Sequence, residues 1–223
     1  MKTVFITATG TEVGKTLVAC ALAWRLRTRG ETVKVLKPVI SGFDPDDAES
    51  DARRILDCLG ERPNIAAVDA ISPWRFAAPI SPDMAAKREA RTIDFDALVG
   101  FCRNAAQGDG TLLIEGIGGA FVPLTLRHLV ADWITALDAR TIVVTGSYLG
   151  TLSHTIATVQ ALRHRGIRVA SLIVSESENS PVGLDATVEA FRHWLGGARV
   201  YGLERQPAGP APWETAPDLT AAL

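Results

Sequence analysis

The sequence contains few cysteines and almost no excess of charge. Cys20, Cys58 and Cys102 stand far apart among 223 residues and form no C-x-x-C pair. An odd number at this spacing fits neither a disulfide framework nor a zinc site, so we expect buried thiols in a reducing compartment. The net charge of −2 and the isoelectric point near 6.1 give no reason to expect nucleic acid or an anionic membrane as the main partner.

Long apolar runs are also missing. No run reaches the roughly 18 apolar residues of a membrane-spanning helix, and the first residues lack the basic and apolar regions of a signal peptide. We therefore expect a cytoplasmic protein. With 47% hydrophobic residues and no internal repeat or linker, the chain can bury one large core. The predicted organisation is one domain over 1–223, with 206–223 as its proline-rich final segment.

Short apolar runs alternate with helical patterns along the chain. The predicted strands are 4–6, 32–36, 111–114, 141–145, 169–174 and 199–203. The predicted helices are 17–29, 50–59, 93–106, 126–137, 153–164 and 182–195. Continuously apolar strands between helices predict a doubly wound, mostly parallel α/β sheet covered on both faces, like that of P-loop NTPases. Residues 60–82 and 206–217 are predicted to be irregular, and Trp24, Trp133 and Trp194 are predicted to lie in the core.

The stretch 7–16 (TATGTEVGKT) has the order of strand, glycine-containing loop and helix that a phosphate-binding loop requires. Backbone N–H groups of such a loop, with the start of the helix, form an anion-binding concavity. Lys15 can reach a phosphate, and the Thr16 hydroxyl can ligate Mg²⁺. The strict pattern G-x-x-x-x-G-K-[ST] requires glycine at position 9, but this chain has Thr9, and its nearest glycine is Gly10. The alternative is an ordinary helix start that happens to carry Lys and Thr.

Charged residues follow two further predicted strands. Lys37 follows 32–36, and Glu115 follows 111–114. Ligands of a doubly wound sheet gather at the carboxyl ends of its strands, so we expect both residues beside the phosphate loop. Glu115 has the position of a carboxylate that holds Mg²⁺, and Asp51, at the start of a predicted helix, is a second candidate. Lys37 is interpreted as a second cation near a transferred group; the alternative is a lysine that only extends toward solvent.

Several motifs together resemble the dethiobiotin synthetase family. They are TEVGKT (11–16), KPV (37–39), Ser41-Gly42, Asp51, EGIGG (115–119), ADW (131–133) and LGTLSHT (149–155). Their order and spacing match from residue 3 to about 174. The resemblance implies a homodimeric, Mg²⁺- and ATP-dependent ligase of biotin biosynthesis. It would join CO₂ to 7,8-diaminononanoate (7,8-diaminopelargonate) through a carbamate and a carbamic–phosphoric anhydride, giving dethiobiotin, ADP and phosphate.

The resemblance also implies roles for individual residues. The catalytic residues would be Thr11, Lys15, Lys37 and Ser41. The metal ligands would be Thr16, Asp51 and Glu115. The diamine would be contacted by Ser41 and Gly118 and, across the dimer interface, by Gly150, Thr151, Leu152 and Ser153. The nucleotide would be contacted by Glu12, Val13, Gly14, Lys15, Thr16, Leu17, Asp51, Glu115, Gly116, Ile117, Gly118, Ser175, Glu176, Glu204, Arg205 and Gln206.

The sequence departs from the family pattern at three places. Ala8 and Gly10 stand where the family usually has Gly and Asp. Ser175-Glu176 replaces an Asn-Asp pair that reads adenine, and GLERQ (202–206) replaces a proline-containing segment. The two later changes fall on the base pocket. We therefore predict that phosphate and diamine recognition are intact, that adenine selectivity is weak, and that nucleoside triphosphates other than ATP also serve.

Three other interpretations remain open from the sequence. One is a ligase of the cobyrinate amidase type, which would need a glutamine amidotransferase domain beyond this length. The second is a nucleotide-switch ATPase of the partition type, although the loop lacks the extra early lysine typical of that class. The third is a degenerate paralogue that binds nucleotide without turnover.

Overall fold

The fold is built on a six-stranded sheet in which all neighbouring strands are parallel. The computed structural model describes residues Met1–Leu223. Its strands are β1 (Lys2–Ala8), β2 (Val33–Leu36), β3 (Val39–Ser41), β4 (Trp74–Phe76), β5 (Thr111–Glu115), β6 (Arg140–Gly146), β7 (Val169–Ser175) and β8 (Val200–Leu203). The large sheet has the order β2-β5-β1-β6-β7-β8, and β3 pairs with β4 separately.

Helices connect these strands on both faces of the sheet. They are α1 (Lys15–Thr28), α2 (Asp51–Leu59), α3 (Ile65–Ile71), α4 (Pro82–Arg88), α5 (Phe95–Ala105), α6 (Val130–Leu137), α7 (Thr151–His164), α8 (Leu184–Trp194) and α9 (Pro212–Thr215). From the central strand β1, the chain adds β5 and β2 on one side of the sheet and β6, β7 and β8 on the other. Crossovers between parallel strands are right-handed, so the change of direction puts the connecting helices on opposite faces. The predicted doubly wound α/β fold is confirmed. None of the helices has the length and apolar character that crossing a bilayer requires.

The centre of the core lies on β1, β5 and β6. Their apolar stretches 4–6, 112–114 and 142–144 are completely buried, as expected for strands covered on both faces. The Trp133 ring of α6 packs edge-on against Phe5 of β1, with ring centroids 4.9 Å apart and planes at 86°. This contact holds α6 against the central strand.

The prediction that the cysteines are buried thiols is confirmed, and the prediction that Trp194 lies in the core is wrong. All three cysteines are buried free thiols, and burial raises the pKa of Cys102 to about 12, which makes it unreactive. Trp133 is buried and Trp24 half-buried, but Trp194 is 64% exposed. The next residue, Leu195, is buried at the position four residues after Phe191, so it fills the place that was predicted for Trp194.

The prediction of irregular structure over 60–82 is wrong. The Asn64 side chain accepts a hydrogen bond from the Ala67 N–H at 3.0 Å and so caps α3. Strand β4 pairs with β3, and α4 begins at Pro82. The prolines lie between or at the ends of these short elements, where the missing proline N–H costs no hydrogen bond.

Two other segments differ from their predictions. The predicted helix 126–137 begins only at Val130, because the Leu124 N–H donates to the His128 carbonyl in a turn and Asp132 caps the Leu129 N–H at 2.7 Å. The segment after 206 contains the short helix α9, whose Trp213 is buried. This segment therefore packs onto the same core as the sheet.

Candidate active site

Three strand ends meet beside the phosphate loop, defined here as residues 9–14 between β1 and α1. The strand registers pair Ile6 with Glu115 and Leu36 with Ile114. Lys37 follows Leu36 directly. Lys37 and Glu115 therefore lie at the same sheet edge as the loop, as the rule for parallel α/β sheets predicts.

The phosphate loop has left-handed backbone conformations at Glu12 and Gly14. Their φ angles are 56° and 89°, in the region that favours glycine. Neither Thr9 nor Gly10 has a positive φ, so this loop does not need the glycine that the strict pattern requires at position 9. A Cβ added to Gly14 would lie 2.7 Å from Ser175 Oγ, so glycine there also allows the end of β7 to approach the loop.

Helix α1 begins with backbone donors that have no partner in the backbone. The N–H groups of Lys15, Thr16 and Leu17 lack a backbone acceptor, whereas the Val18 N–H donates to the Gly14 carbonyl at 3.0 Å. These free N–H groups and the positive end of the helix dipole point the same way. Together they form a site for an anion.

Lys15 lies back over the phosphate loop. Its Nζ donates to the Gly10 carbonyl oxygen at 3.1 Å, and the residue is buried. Burial lowers the pKa of Lys15 to about 8, although the carboxylates of Glu115 and Asp51 oppose this shift. Additional negative charge beside Lys15 would favour its protonated form.

Thr16, Lys37, Asp51 and Glu115 form one hydrogen-bonded group, which we call the charge cluster. Thr16 Oγ1 lies 2.8 Å from Asp51 Oδ1 and 2.8 Å from Glu115 Oε1. Lys37 Nζ donates to Glu115 Oε1 at 2.6 Å and also donates to Asp51. The four side chains come from α1, the end of β2, the start of α2 and the end of β5. The charge cluster therefore ties these four elements together.

Burial and ion pairing shift the pKa values in the charge cluster in opposite directions. Burial would lower the pKa of Lys37, but the Glu115 and Asp51 carboxylates outweigh it and raise that pKa. Burial would raise the pKa of Asp51, but the Lys37 ammonium overcomes it and lowers that pKa. Burial raises the pKa of Glu115 in spite of Lys37. Lys37 is thus held charged inside the protein.

The oxygen atoms of the charge cluster fit Mg²⁺. Glu115 Oε2 is buried and has no hydrogen-bond partner, an unusual state for a carboxylate oxygen. Mg²⁺ is commonly held by one or two carboxylates, with phosphates and water completing its shell. Thr16, Asp51 and Glu115 offer one hydroxyl and two carboxylates of this kind. The chain has no cluster of three or more His, Cys, Asp or Glu side chains that could hold a metal without such additional ligands.

Lys15 and Lys37 line two adjoining cavities. One, of about 270 Å³, is also lined by Thr16, Asp51 and Glu115. The other, of about 320 Å³, is also lined by Thr11, Glu12, Ile40, Ser41, Asp51, Pro79, Ile117 and Gly118. Both ammonium groups therefore border the space between the charge cluster and the residues predicted to contact a diamine.

A larger cavity of about 530 Å³, which we call the base cavity, opens on the other side of the phosphate loop. The predicted nucleotide residues that line it are Glu12, Val13, Gly14, Leu17, Ser175, Glu176, Arg205 and Gln206. Glu204 instead lines a neighbouring cavity, where its carbonyl accepts from Gln206 Nε2 at 2.8 Å. Glu176 is fixed within the chain, because its Oε2 accepts from the Arg205 N–H at 3.0 Å.

Two groups of predicted site residues lie outside these cavities. Gly116 faces the interior, where an added Cβ would lie 2.8 Å from the Phe5 ring. The residues 150–153 form the start of α7, away from the cavities that Lys15 and Lys37 line. There the Thr151 hydroxyl donates inward to the Gly146 carbonyl at 2.6 Å.

Arg54 and the segment 207–212 were missed by the sequence reasoning. Arg54 lines both the base cavity and the cavity of the charge cluster. It follows Asp51 by three residues on α2, a spacing that puts both on one helix face, and this signal could have found it. Residues of 207–212 line the base cavity, but no motif marks them.

Both a family model and individual relatives of known name match most of the chain. The model of a family described as "AAA domain" matches residues 2–204. The chain is 48% identical to the ATP-dependent dethiobiotin synthetase BioD of Acidiphilium cryptum, over 86% of this chain and 87% of that protein. It is 45% identical to the same enzyme of Caulobacter sp. strain K31, over 90% of this chain and 87% of that one. It is 40% identical to the same enzyme of Methylobacterium nodulans, over 95% of this chain and 96% of that protein.

Solved structures with similar folds are more distant in sequence. A ParA family ATPase from Chlorobium tepidum superposes with a TM-score of 0.58 at 13% identity, covering 100% of this chain and 96% of that chain. The MinC:MinD complex of Aquifex aeolicus gives a TM-score of 0.51 at 14% identity, covering 90% and 79%. At such identities these likenesses support the fold alone. The identities of 40–48% over most of the chain carry the assignment: the protein belongs to the ATP-dependent dethiobiotin synthetase family.

Proposed function

We propose that this protein joins CO₂ to 7,8-diaminononanoate and closes the cyclic urea of dethiobiotin, converting ATP to ADP and phosphate. The observation that carries the proposal is the shared position of Lys15 and Lys37. Both line the cavity of the charge cluster and the adjoining cavity with Thr11 and Ser41. Two cations between a phosphate site and a second cavity suit the transfer of a phosphoryl group to an anionic acceptor.

The proposed chemistry has three balanced steps. One amine of the substrate attacks CO₂ and loses a proton, which gives a carbamate. A carbamate oxygen attacks the γ-phosphorus of ATP, and the bond to ADP breaks. The second amine then attacks the carbonyl carbon of the mixed anhydride, the carbon–oxygen bond to phosphate breaks, and the ring closes with release of phosphate and a proton.

No step requires a protein nucleophile, so the residues act by positioning and charge. Lys15 and Lys37 would flank the carbamate and the γ-phosphate and stabilise the negative charge shared between them. Thr11 and Ser41 would donate hydrogen bonds to the carbamate from the wall of the second cavity. Because Lys37 is buried and held charged, its stabilisation needs little reorganisation when the phosphoryl group moves.

Thr16, Asp51 and Glu115 would hold Mg²⁺. The ion supplies neutralisation of charge on the β- and γ-phosphates. The unpaired Glu115 Oε2 supports this assignment, since a ligand oxygen needs a partner in a buried site. Lys37 contacts the same two carboxylates, and so it would also fix their orientation.

The phosphate loop and the base cavity would hold the nucleotide. The free N–H groups of Lys15, Thr16 and Leu17 would bind phosphate oxygens. The base would enter the cavity lined by Ser175, Glu176, Arg205 and Gln206. ATP is the proposed co-substrate, with weak selectivity for adenine and use of other nucleoside triphosphates.

The carboxylate tail of the diamine would lie at the start of α7 of the partner subunit in a homodimer. The N–H groups of Leu152 and Ser153 have no backbone acceptor, and two apolar side chains nearby are exposed: Leu149 at 85% and Leu152 at 37%. A subunit contact through this region would cover them. Nothing in the proposal requires nucleic acid or a membrane, and a cytoplasmic location is proposed because ATP and reduced thiols belong there.

Phosphate release in a steady-state assay tests the proposal. With ATP, Mg²⁺ and bicarbonate, we expect phosphate to appear only when 7,8-diaminononanoate is added, together with one equivalent of dethiobiotin. Nonane-2,3-diamine, which lacks the carboxylate, is the matched control, and it should react with a raised KM. Phosphate release that does not depend on the diamine, or no release at all, would refute the ligase assignment.

A further inference from the structure

A group of threonine hydroxyls joins the phosphate loop to the start of α7. Thr145, near the end of β6, lies at its centre. Its Oγ1 is 3.0 Å from that of Thr9, 3.0 Å from that of Thr151 and 2.8 Å from that of Thr155. Thr145 and Thr155 are completely buried, and Thr151 is nearly so. We call these four residues the threonine chain.

The direction of each hydrogen bond follows from counting protons. A threonine hydroxyl has one proton to donate and two lone pairs to accept with. The Thr151 hydroxyl donates to the Gly146 carbonyl at 2.6 Å, so it can only accept from Thr145. Thr145 therefore donates to Thr151 and accepts from both Thr9 and Thr155. In this arrangement every hydroxyl proton is used, and Thr145 has no free capacity.

The threonine chain connects two segments that follow different strands: the phosphate loop after β1, and the start of α7 after β6, which is proposed to serve the site of the partner subunit. Thr9 opens the phosphate loop, and its N–H also donates to the Val144 carbonyl at 3.1 Å. Thr151 is the first residue of α7, and Thr155 follows it by about one turn on the same face. The free N–H groups of that turn are the ones proposed to meet the carboxylate of the diamine.

We infer that Thr145 is a positioning residue: it holds the first turn of α7 in place against the phosphate loop of its own subunit, so that the turn can bind the substrate tail in the site of the partner subunit. The inference rests on the proposed function. Thr145 lines neither the base cavity nor the two cavities that Lys15 and Lys37 line. Removing its hydroxyl would leave the Thr9 hydroxyl without its acceptor and would leave Thr155 with only a longer contact to Thr151 Oγ1, at 3.5 Å. Buried groups that lose good partners rearrange to find new ones.

The experiment compares Thr145→Val with two matched variants. Thr141→Val removes a hydroxyl that is equally buried on the same strand but donates only to the Ala139 carbonyl at 3.3 Å. Thr145→Ser keeps the hydroxyl and removes only a methyl group. For Thr145→Val we expect the KM for the diamine to rise about tenfold while kcat changes by less than about twofold, because the tail binds remotely from the reacting atoms. Thr145→Ser and Thr141→Val should keep the wild-type KM.

A merely structural role would give a different pattern. Loss of stability alone would lower Tm and the amount of active enzyme without changing the KM for one substrate. If Thr145→Val does not fold, Thr9→Val takes its place, since Thr9 is only half-buried; the expected result is a rise of about threefold in the KM for the diamine.

The outcomes distinguish a failure of the proposed function from a failure of the role proposed for the threonine chain. If the wild-type enzyme releases no phosphate in response to the diamine, the proposed function fails. If it does so and Thr145→Val, or Thr9→Val in its place, has the wild-type KM for the diamine, only the role of the threonine chain is overturned. An equal rise in Thr141→Val would also overturn it.

Discussion

The phosphate end and the base end of the site are built differently. At the phosphate end, Glu115 is the last residue of β5 and Lys37 directly follows β2; both are buried, and their ammonium and carboxylate groups are 2.6 Å apart. At the base end, Arg205 and Glu178 are exposed and 3.5 Å apart, on loops after β7 and β8. Buried charges at fixed distance interact strongly, whereas exposed ion pairs contribute little. The chemistry is therefore expected to be intolerant of change, and base recognition tolerant.

Among the variants considered, Lys37→Ala is expected to lose the most activity. Loss of the buried cation should lower kcat by about a hundredfold or more, because its charge acts where negative charge develops. It would also leave Glu115 and Asp51 without their ammonium partner, and loss of one member of a buried pair typically costs about 3 kcal/mol or more of stability. Phosphate release and thermal unfolding measure the two effects.

Lys34→Ala is the matched control for Lys37→Ala. Lys34 lies on β2, the strand that ends directly before Lys37, but it is exposed, and its Nζ donates to the Ala105 carbonyl at 3.1 Å. We expect wild-type kcat for this variant. Retention of activity in Lys37→Ala would remove Lys37 from the mechanism. It would also mean that the phosphate end tolerates substitution as well as the base end does.

A second test concerns the metal. Thr16→Val removes the hydroxyl between Asp51 and Glu115 and should raise the Mg²⁺ concentration for half-maximal activity by about tenfold to a hundredfold, the range seen when groups around a metal are removed. A titration with Mg²⁺ at fixed ATP measures this. Thr28→Val, whose hydroxyl donates to the Arg25 carbonyl on the exposed part of α1, should leave the titration unchanged. An unchanged midpoint for Thr16→Val would separate the charge cluster from the metal.

The start of α7 is a third region, whose effect is expected to act across the subunit contact. Leu149→Asp should shift the protein from dimer to monomer in light scattering, since it puts charge on a side chain that the proposed interface covers. The KM for the diamine should rise by about tenfold, because the residues at 150–153 would no longer reach the partner's site. Ile65→Asp, at a side chain 81% exposed on α3, is the control. A monomeric wild-type protein would contradict the interface.

The smallest effects are expected at the base end. Values of kcat/KM for ATP, GTP, CTP and UTP should agree within about tenfold, because discrimination needs buried polar groups that a wrong base leaves unpaired. Glu176→Gln should change these values by less than about threefold. A preference for ATP of a hundredfold or more would show that the base end is as specific as the phosphate end.

The contrast between residues at strand ends and residues on loops also explains which parts of the site could be predicted from the sequence. Lys37 follows one short apolar strand, Glu115 ends another, and the helix that begins with Lys15 and Thr16 follows β1 through the phosphate loop. The rule for strand ends in parallel sheets brings these residues together without knowledge of any contact. The short elements β4 and α3 could not be predicted with equal ease, because they depend on pairing with β3 and on the cap at Asn64.

The threonine chain and the outer wall of the base cavity escaped prediction for a related reason. Thr9 and Thr145 are 136 residues apart, and a hydroxyl near a strand end carries no signal of its partner. The wall at 207–212 consists of loop whose path is set by packing of α9 against α1. The spacing of apolar residues along a segment predicts which face of that segment packs on the core. It does not predict which distant loop will lie over a cavity.

The path of one oxygen atom shows whether the phosphoryl group of ATP passes to a carbamate, as the positions of Lys15 and Lys37 require. Freshly dissolved bicarbonate labelled with ¹⁸O is mixed with ATP, diamine and enzyme in unlabelled water, and the released phosphate is analysed by mass spectrometry before the label exchanges into water. Because the carbamate oxygen forms the new bond to phosphorus and leaves with the phosphate, the phosphate should carry one ¹⁸O for each dethiobiotin formed. Phosphate without label would mean that Lys15 and Lys37 do not direct a phosphoryl group to a carbamate.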